Sequence, residues 1–459
     1  MQVRVYYIFL FPVLLLSCAT FYEINYEFNQ AFVEGRFEQA EKTLALSEKR
    51  MSKKARFLYL VNRGTVAFLQ GNHSSSNEYF EDAYLYTEDY QRNYVDVGAS
   101  FLVNPNMIDY PGEDHEKLFI LYYKAINHCK LGDYQSALIE CRRLNNRLYE
   151  LSDSYQSENR YREDAFIHNL MGIIYQASGD YNNAFIAYEN AYSIYEESFS
   201  RLFDLQPPRQ LKLDLLHAAY LNGFYDKLRY YEEKLGIEYQ RSEVPSGGEL
   251  LLFWHNGLAP VKDEWSINFT ITGGADFVTF ANDEYGLNFT FPYDFDDEAE
   301  SSKLTDLRFF RVAFPRYVDR PPEFTDGDVY LDGYIYSLDE AEDISAIAQK
   351  TLDQRMIAEM SKALMRAALK KLAEKQVSEE NEGLGMAMSV FNAVTEKADT
   401  RNWQTLPNAI FYSRVPLDTG LNEVTMILHD RKYGREMEER FRFDGNAGQT
   451  IFHTYQTLN

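Results

Sequence analysis

Asp399, Arg401 and Trp403 stand at alternate positions just ahead of Pro407, and this trio is the sharpest chemical constellation in the chain. An arginine steadied by an aspartate can fork onto a carboxylate or phosphate, and an indole beside it can stack on a sugar or peptide plane. The same residues can instead build a corner. Asp399 would then cap a turn or pair with Arg401, and Trp403 would fill the junction between a helical insert and a β-rich core. The structural role is the expected one, because the motif sits where a helix hands over to a strand. Glu113, Glu116 and the run Glu140-x-Arg142-Arg143 pose the same choice between partner contact and structure. Here the expectation is that Arg142 or Arg143 pairs with Glu113 or Glu116 across an inserted loop.

Other chemistry finds little support. The eight histidines are scattered, and His115-Glu116 lacks the second histidine that a zinc site on one helix face needs. No HExxH, P-loop, GxSxG or properly flanked GxGxxG pattern occurs, so no catalytic residue, metal or cofactor is expected. With 70 Asp+Glu against 46 Lys+Arg the formal charge is -24, which repels phosphate backbones and argues against a nucleic-acid partner.

The elements that position these residues begin with the N-terminus. Arg4 precedes an apolar run from Val5 to Leu16, the length of a signal h-region. It is shorter than the roughly 20 apolar residues that span a bilayer. The run ends in Leu15-Leu16-Ser17-Cys18, which looks like a lipobox. Residues 1–17 then read as a lipoprotein signal and Cys18 as the acylated first mature residue, with an ordinary signal peptide as the alternative. Ala19 rather than Asp follows, a pattern of lipoproteins sent to the outer membrane. Cys129 and Cys141 remain, and either a disulfide or two buried thiols on neighbouring helices suits their spacing.

A recurring pattern fills residues 18–243: a small residue, a large apolar one, then Gly-Asp/Asn/Arg-aromatic and an alanine three positions on. The clearest copies are Gly172 to Ala191, turning at Gly179-Asp180-Tyr181, and Ala125 to Cys141, turning at Gly132-Asp133-Tyr134. The pattern resembles the tetratricopeptide repeat, a helix–turn–helix unit of 34 residues. Small residues let paired helices approach, and glycine supplies the turn. Turn glycines at 35, 71, 132, 179 and 223 are spaced more widely than a bare array requires, so loops are expected within 89–111 and 152–163 and at Pro207-Pro208.

From about Gly247 the period changes to short alternating runs with turn punctuation, the mark of strands. Runs are expected at 249–255, 265–272, 277–280, 287–291, 309–314 and 329–337, and again at 409–415, 423–430, 436–443 and 450–455. Between the two groups lie a helix over 343–377 and a shorter one over 386–397. The predicted architecture of 247–459 is a β-sandwich-like domain with a helical insertion at about 343–397, making the whole chain multidomain α + β behind an α-solenoid. Residues 293–303 read as an acidic loop. The long helix concentrates Lys350, Arg355, Lys362, Arg366, Lys370, Lys371 and Lys375. Such a face is either solvated or set against an acidic partner, anionic lipid, or the chain's own acidic repeats.

The stretch Tyr110-Pro111-Gly112-Glu113-Asp114-His115-Glu116, the helix around Glu140-x-Arg142-Arg143, Asn256 to Lys262, and Ala398 to Pro407 together resemble a family of uncharacterised bacterial lipoproteins. The resemblance implies an extracytoplasmic lipoprotein and carries no activity with it. The resulting expectation is a non-enzymatic scaffold or adaptor, held by Cys18 at the outer membrane on its periplasmic face. It would bind envelope proteins or its own copies. The competing expectation is a protein that binds or processes cell-wall glycan through Asp399, Arg401 and Trp403.

Overall fold

The computed structural model describes residues 26–48, 53–94, 108–153, 161–240, 245–273, 277–292, 309–380, 397–430 and 432–458. The signal segment, the 293–303 loop and the helix expected over 386–397 lie outside the described residues, save Lys397. The chain is mixed α/β, helical first and β-rich second.

The helical half runs through α1 (26–33), α2 (Phe37–Ser47), α3 (Arg56–Leu69), α4 (His73–Tyr94), α5 (Asp114–Lys130) and α6 (Tyr134–Asp153). It continues with α7 (Ala165–Ala177), α8 (Tyr181–Ile194), the short α9 (Ser200–Phe203), α10 (Arg209–Leu221) and α11 (Tyr225–Leu235). Each Gly-Asp turn divides the work between its two residues. At Gly132 the backbone is left-handed (φ 74°), where a side chain would be strained, and the Asp133 N–H closes the helix end on the His128 carbonyl at 2.9 Å. Asp133 then opens the next helix by accepting from the Ser136 N–H at 3.1 Å, and Asp180 does the same for Asn183 at 3.2 Å. Within a pair the helices approach closely at Gly64, which faces the Phe80 ring, and at Gly172, which faces the Tyr188 ring.

The strands are β1 (Glu249–Asn256), β2 (Val261–Gly273), β3 (Phe277–Asn282), β4 (Leu287–Pro292), β5 (Phe309–Val318) and β6 (Asp326–Leu331). After β7 (Tyr334–Asp343) comes the long helix α12 (Ile344–Glu380), then β8 (Ala409–Pro416), β9 (Gly420–Asp430), β10 (Arg435–Gly445) and β11 (Thr450–Gln456). Seven strands form one sheet in the order β10-β9-β6-β7-β8-β1-β11, antiparallel except where β1 meets β11. The others form a four-stranded sheet, β4-β3-β2-β5. Because β7 and β8 pair directly, α12 enters the chain between two neighbouring strands.

The core of the β-rich half closes differently from the expected sandwich. The large sheet curls until its two edge strands meet, with Phe441 of β10 4.7 Å from His453 of β11 and the Tyr455 hydroxyl donating to Glu439 at 3.0 Å. Leu250, Leu252 and Trp254 of β1 fill the inside of that curl with Val424, Met426 and Leu428 of β9. The small sheet packs Phe269, Phe280 and Phe314 on Met360 and Leu364 of α12, not on the large sheet. A run of Phe, Val and Ile along a strand tells how much surface must be buried and leaves open what buries it.

The opposite face of the large sheet joins the helices. Leu251 and Phe253 of β1, Ile410 and Tyr412 of β8 and Phe452 of β11 belong to one buried cluster with the array's aromatics. β1 is therefore covered on both faces, which its unbroken Leu-Leu-Leu-Phe-Trp run requires. The sheet settles mainly on the first helices of successive pairs. Phe68 of α3 stacks on His255 at 5.9 Å, and Phe166 of α7 lies 6.4 Å from Phe253. Helix α5 is buried at every position from Asp114 to Asn127 and is the hub of the molecule.

A Cβ at Gly172 would meet the Tyr188 ring at 2.4 Å, and Tyr188 is wholly buried. Gly172→Val should cost about 1–3 kcal/mol by overpacking, seen as a lower cooperative melting transition of the chain by circular dichroism. An unchanged transition would refute the close helix contact.

Candidate functional site

The motif residues singled out in the sequence converge at the head of α5, where helices and sheet join. Glu113 is the N-cap of α5, and Glu116, one turn in, reaches back to accept the Glu113 backbone N–H at 2.9 Å. The second oxygen of Glu116 accepts the Trp403 backbone N–H, and the Tyr110 hydroxyl adds a third bond at 2.8 Å. Glu113 is answered from the other half of the chain by Lys262 of β2 and Arg355 of α12, both in direct contact with its carboxylate. Asp114 also takes Arg355 at 3.5 Å and Lys117 at 3.4 Å.

The electrostatics of these two carboxylates diverge. Burial alone would raise Glu113, but the adjacent Arg355 and Lys262 outweigh it and hold the carboxyl far below its ordinary range. Glu116 has no cation; burial and the charge of Glu113 push it up to about 7, against the pull of its hydrogen bonds. His115, packed edge-on to Tyr317, is lowered by burial to about 4 and stays neutral.

Asp399 and Arg401 form a bidentate pair, with Arg401 Nε 2.9 Å from one Asp399 oxygen and its terminal nitrogen 2.7 Å from the other. The remaining nitrogen donates to the Lys54 carbonyl at 2.9 Å and the Ile108 carbonyl at 3.2 Å, and the guanidinium lies 4.9 Å from the Tyr110 ring centroid. Trp403 has no exposed surface. Its ring sits 5.8 Å from both Phe80 of α4 and Tyr123 of α5, and its indole N–H donates to Thr405 at 2.8 Å, which in turn donates to Asn62 of α3 at 2.9 Å. The trio thus plugs the β-rich half onto the repeat helices rather than onto the helical insert. A sugar-stacking tryptophan needs an open ring face, and this one offers none.

Glu140, Arg142 and Arg143 lie elsewhere, and the pairing expected between these arginines and Glu113 or Glu116 does not form. Arg143 pairs with Glu140 at 3.2 Å and Glu81 at 3.7 Å, while Arg142 donates to the Tyr175 hydroxyl at 2.8 Å. Glu140 takes Lys124 of α5 at 2.9 Å. The reason is distance along the helix: Lys124 is eleven residues beyond Glu113, roughly 16 Å at the helical rise. Cys129 and Cys141 are buried free thiols. Of the basic helix, Arg355 faces the chain's own acidic residues, and Lys362 is exposed near Glu359 at 4.0 Å.

A second junction escaped the sequence reading. Arg414 of β8 forks onto Asp214 of α10 at 2.9 and 3.2 Å, contacts Glu249 of β1 at 2.5 Å and reaches the Tyr188 hydroxyl at 3.2 Å. Nothing in the spacing of Asp214 and Arg414, 200 residues apart, marks them as partners. Among the described residues no group of three or more His, Cys, Asp or Glu side chains could hold a metal ion.

What fold and seam define is a tetratricopeptide-like array of helix pairs joined through one core to a curled β-sheet. No family model and no curated protein matches the chain. Among solved structures it is similar to a crystal structure of MamA protein, at 16% identity over 48% of this chain and 96% of that one, with a TM-score of 0.30. It is also similar to BtubC (BKLC) from P. vanneervenii, at 16% identity over 50% and 85% with a TM-score of 0.32. The apo form of RapI gives 14% identity over 47% and 68% and a TM-score of 0.33. Likenesses this distant carry no argument about function, and the repeat assignment rests on the helix pairs and their glycine turns.

Two measurements check the seam. Trp403→Ala should cost about 3–5 kcal/mol, the usual loss for a buried indole, and lower the melting of helices and strands together; a ligand-site tryptophan would leave melting nearly intact. Glu116 keeps its proton in the folded chain to higher pH than in the unfolded chain, so its contribution declines as pH rises from the ordinary carboxylate range to about 7. Glu113 has the opposite sign, its contribution being lost as pH falls. Glu116→Gln should therefore flatten part of the stability loss between about pH 5 and 7, with Asp164 and Glu340, also raised by burial, keeping the rest. An unchanged pH profile of melting would show that Glu116 is ionised throughout.

Proposed function

We propose that the chain is a lipid-anchored protein of the bacterial cell envelope that serves as a protein-binding scaffold. The observation that carries the binding role is the outer face of the array. The second helices of the pairs leave large side chains in water: Leu85 on α4, Ile139 and Tyr149 on α6, Ile186 on α8, Tyr225 and Tyr230 on α11. Apolar surface gathered into one patch marks a protein-interaction face, and these six side chains on four second helices are available to form it. The inner face is not free for this purpose, because the chain's own sheet fills it.

The anchor is supported by the sequence alone, through the Leu15 to Cys18 lipobox, the apolar run before it and the resemblance to bacterial lipoproteins. Acylation at Cys18 would confine the scaffold to a membrane surface, and several acyl chains hold far more firmly than one. On this reading the body stands on the periplasmic face of the outer membrane and engages other envelope proteins or its own copies.

Cys18→Ala should shift the protein from the membrane fraction to the soluble fraction, because no other residue offers a thiol at the cleavage site. Retention on membranes through a high-salt wash would sink the lipid anchor. Cross-linking in intact envelopes, compared with binding to purified cell-wall glycan, tests the scaffold role. Reproducible glycan binding with no cross-linked protein would replace it.

A further inference from the structure

The far end of the array and the rim of the curled sheet enclose a cleft of about 1090 Å³ that lies apart from the α5 seam. Its walls are the α7–α8 turn, α10, the segment after α11, the β6–β7 hairpin and the β8–β9 turn. The volume lies just above the range for small-ligand pockets, ~300–1,000 Å³, and leaves room for a stretch of peptide.

Two properties of the lining stand together. First, large side chains are left open to water within it: Tyr334 is 69% exposed, Tyr181 41% and Leu221 40%. Tyr334 follows the tight turn of the β6–β7 hairpin at Asp332 and Gly333, both with positive φ. Second, carboxylates outnumber cations. Asp214, Glu238, Glu249, Asp332 and Asp418 line the cleft against Arg209 and Arg414. Arg414 is already committed to Asp214 and Glu249. That leaves Glu238, Asp332 and Asp418 facing one arginine, Arg209.

We propose that this cleft binds a lysine- or arginine-bearing peptide segment of a partner protein, with a cationic side chain held between the Tyr334 ring and the carboxylates of the rim. A cation over a tyrosine face is attracted by the ring quadrupole, and the alkyl stem of lysine or arginine suits apolar walls such as Leu221 and Tyr181. The negative surplus repels acidic segments and speeds the approach of basic ones. The proposal rests on the scaffold reading only in taking the partner to be a protein.

Fluorescence anisotropy on the lipid-free chain tests it, with a labelled nonapeptide carrying three arginines among Gly and Leu and the same peptide with glutamate in their place. The arginine peptide should bind, more weakly as salt is added, and the glutamate peptide should not. Tyr334→Ala and the pair Asp332→Asn with Asp418→Asn should each weaken binding about fivefold or more, and the exposed positions of Tyr334 and Asp332 leave melting nearly unchanged. Equal binding of the two peptides, or binding indifferent to these substitutions, would overturn the proposal. So would competition by free arginine amide at the peptide's own concentration, which would mark a small-cation site. If envelope cross-linking captures a protein equally with Tyr334→Ala and no arginine peptide binds, the cleft assignment falls and the scaffold stands. If the arginine peptide binds as described and no envelope protein is ever captured, the scaffold falls and the cleft stands.

Discussion

Glu113 is an ionised carboxylate with almost no access to water, and the helical array supplies it with no cation. Its counter-charges come from Lys262 on β2 and Arg355 on α12, both in the β-rich half. A buried charge stripped of its partner typically costs about 3–5 kcal/mol, so the head of α5 is comfortable only when that half is docked. Glu116 tightens the same bond by capping the helix and holding the Trp403 backbone. The indole then sits among Phe80 and Tyr123. Helix α5 is buried almost end to end, and an all-round buried helix belongs in the middle of a core. The helices and the sheet therefore behave as one cooperative body, although the sequence changes character sharply near residue 247.

That docking reshapes what the repeat array can do. Stacked helix pairs make a concave surface able to hold a peptide. In this chain strands β1, β8 and β11 lie on the corresponding helices, with His255 against Phe68 and Tyr122 and Lys130 bonded to Thr454 at 2.7 Å. The Arg414–Asp214 fork fixes the far end in the same way. What the sheet leaves uncovered is the outward side of the second helices and the ends of the array.

Local features were the ones a reader of the sequence could recover. Gly-Asp-aromatic turns announce themselves because one residue must adopt a left-handed backbone and the next must cap a helix, and both demands are met within two positions. Strand runs announce themselves by alternation, yet Val329 to Ser337 reads as one strand when Asp332-Gly333 divides it into a hairpin; that dipeptide was the available signal. Closure of the large sheet through Phe441 and His453 had no local signature, since alternation fixes which face is apolar and says nothing of what will cover it. The motif at Asp399 to Trp403 was visible, and so was Glu113, but their counterparts were not. Ion pairs across hundreds of residues leave no spacing to read.

The distribution of charge follows from these burials. Lys124, Lys262, Arg355 and Arg414 are all turned inward onto carboxylates, and Arg401 is committed to Asp399 and to two carbonyls. Some carboxylates are consumed with them, but the excess of acids over bases in the composition, 70 against 46, is far larger than internal pairing can absorb. Strong self-repulsion is therefore concentrated on the surface, where it selects against acidic partners. On the proposed scaffold reading, the partner that fits best is one that brings positive charge, because each basic side chain would both meet a carboxylate and relieve repulsion among its neighbours. Such an interaction would weaken with salt for the same reason, within the roughly 8–10 Å over which such charges act at physiological ionic strength.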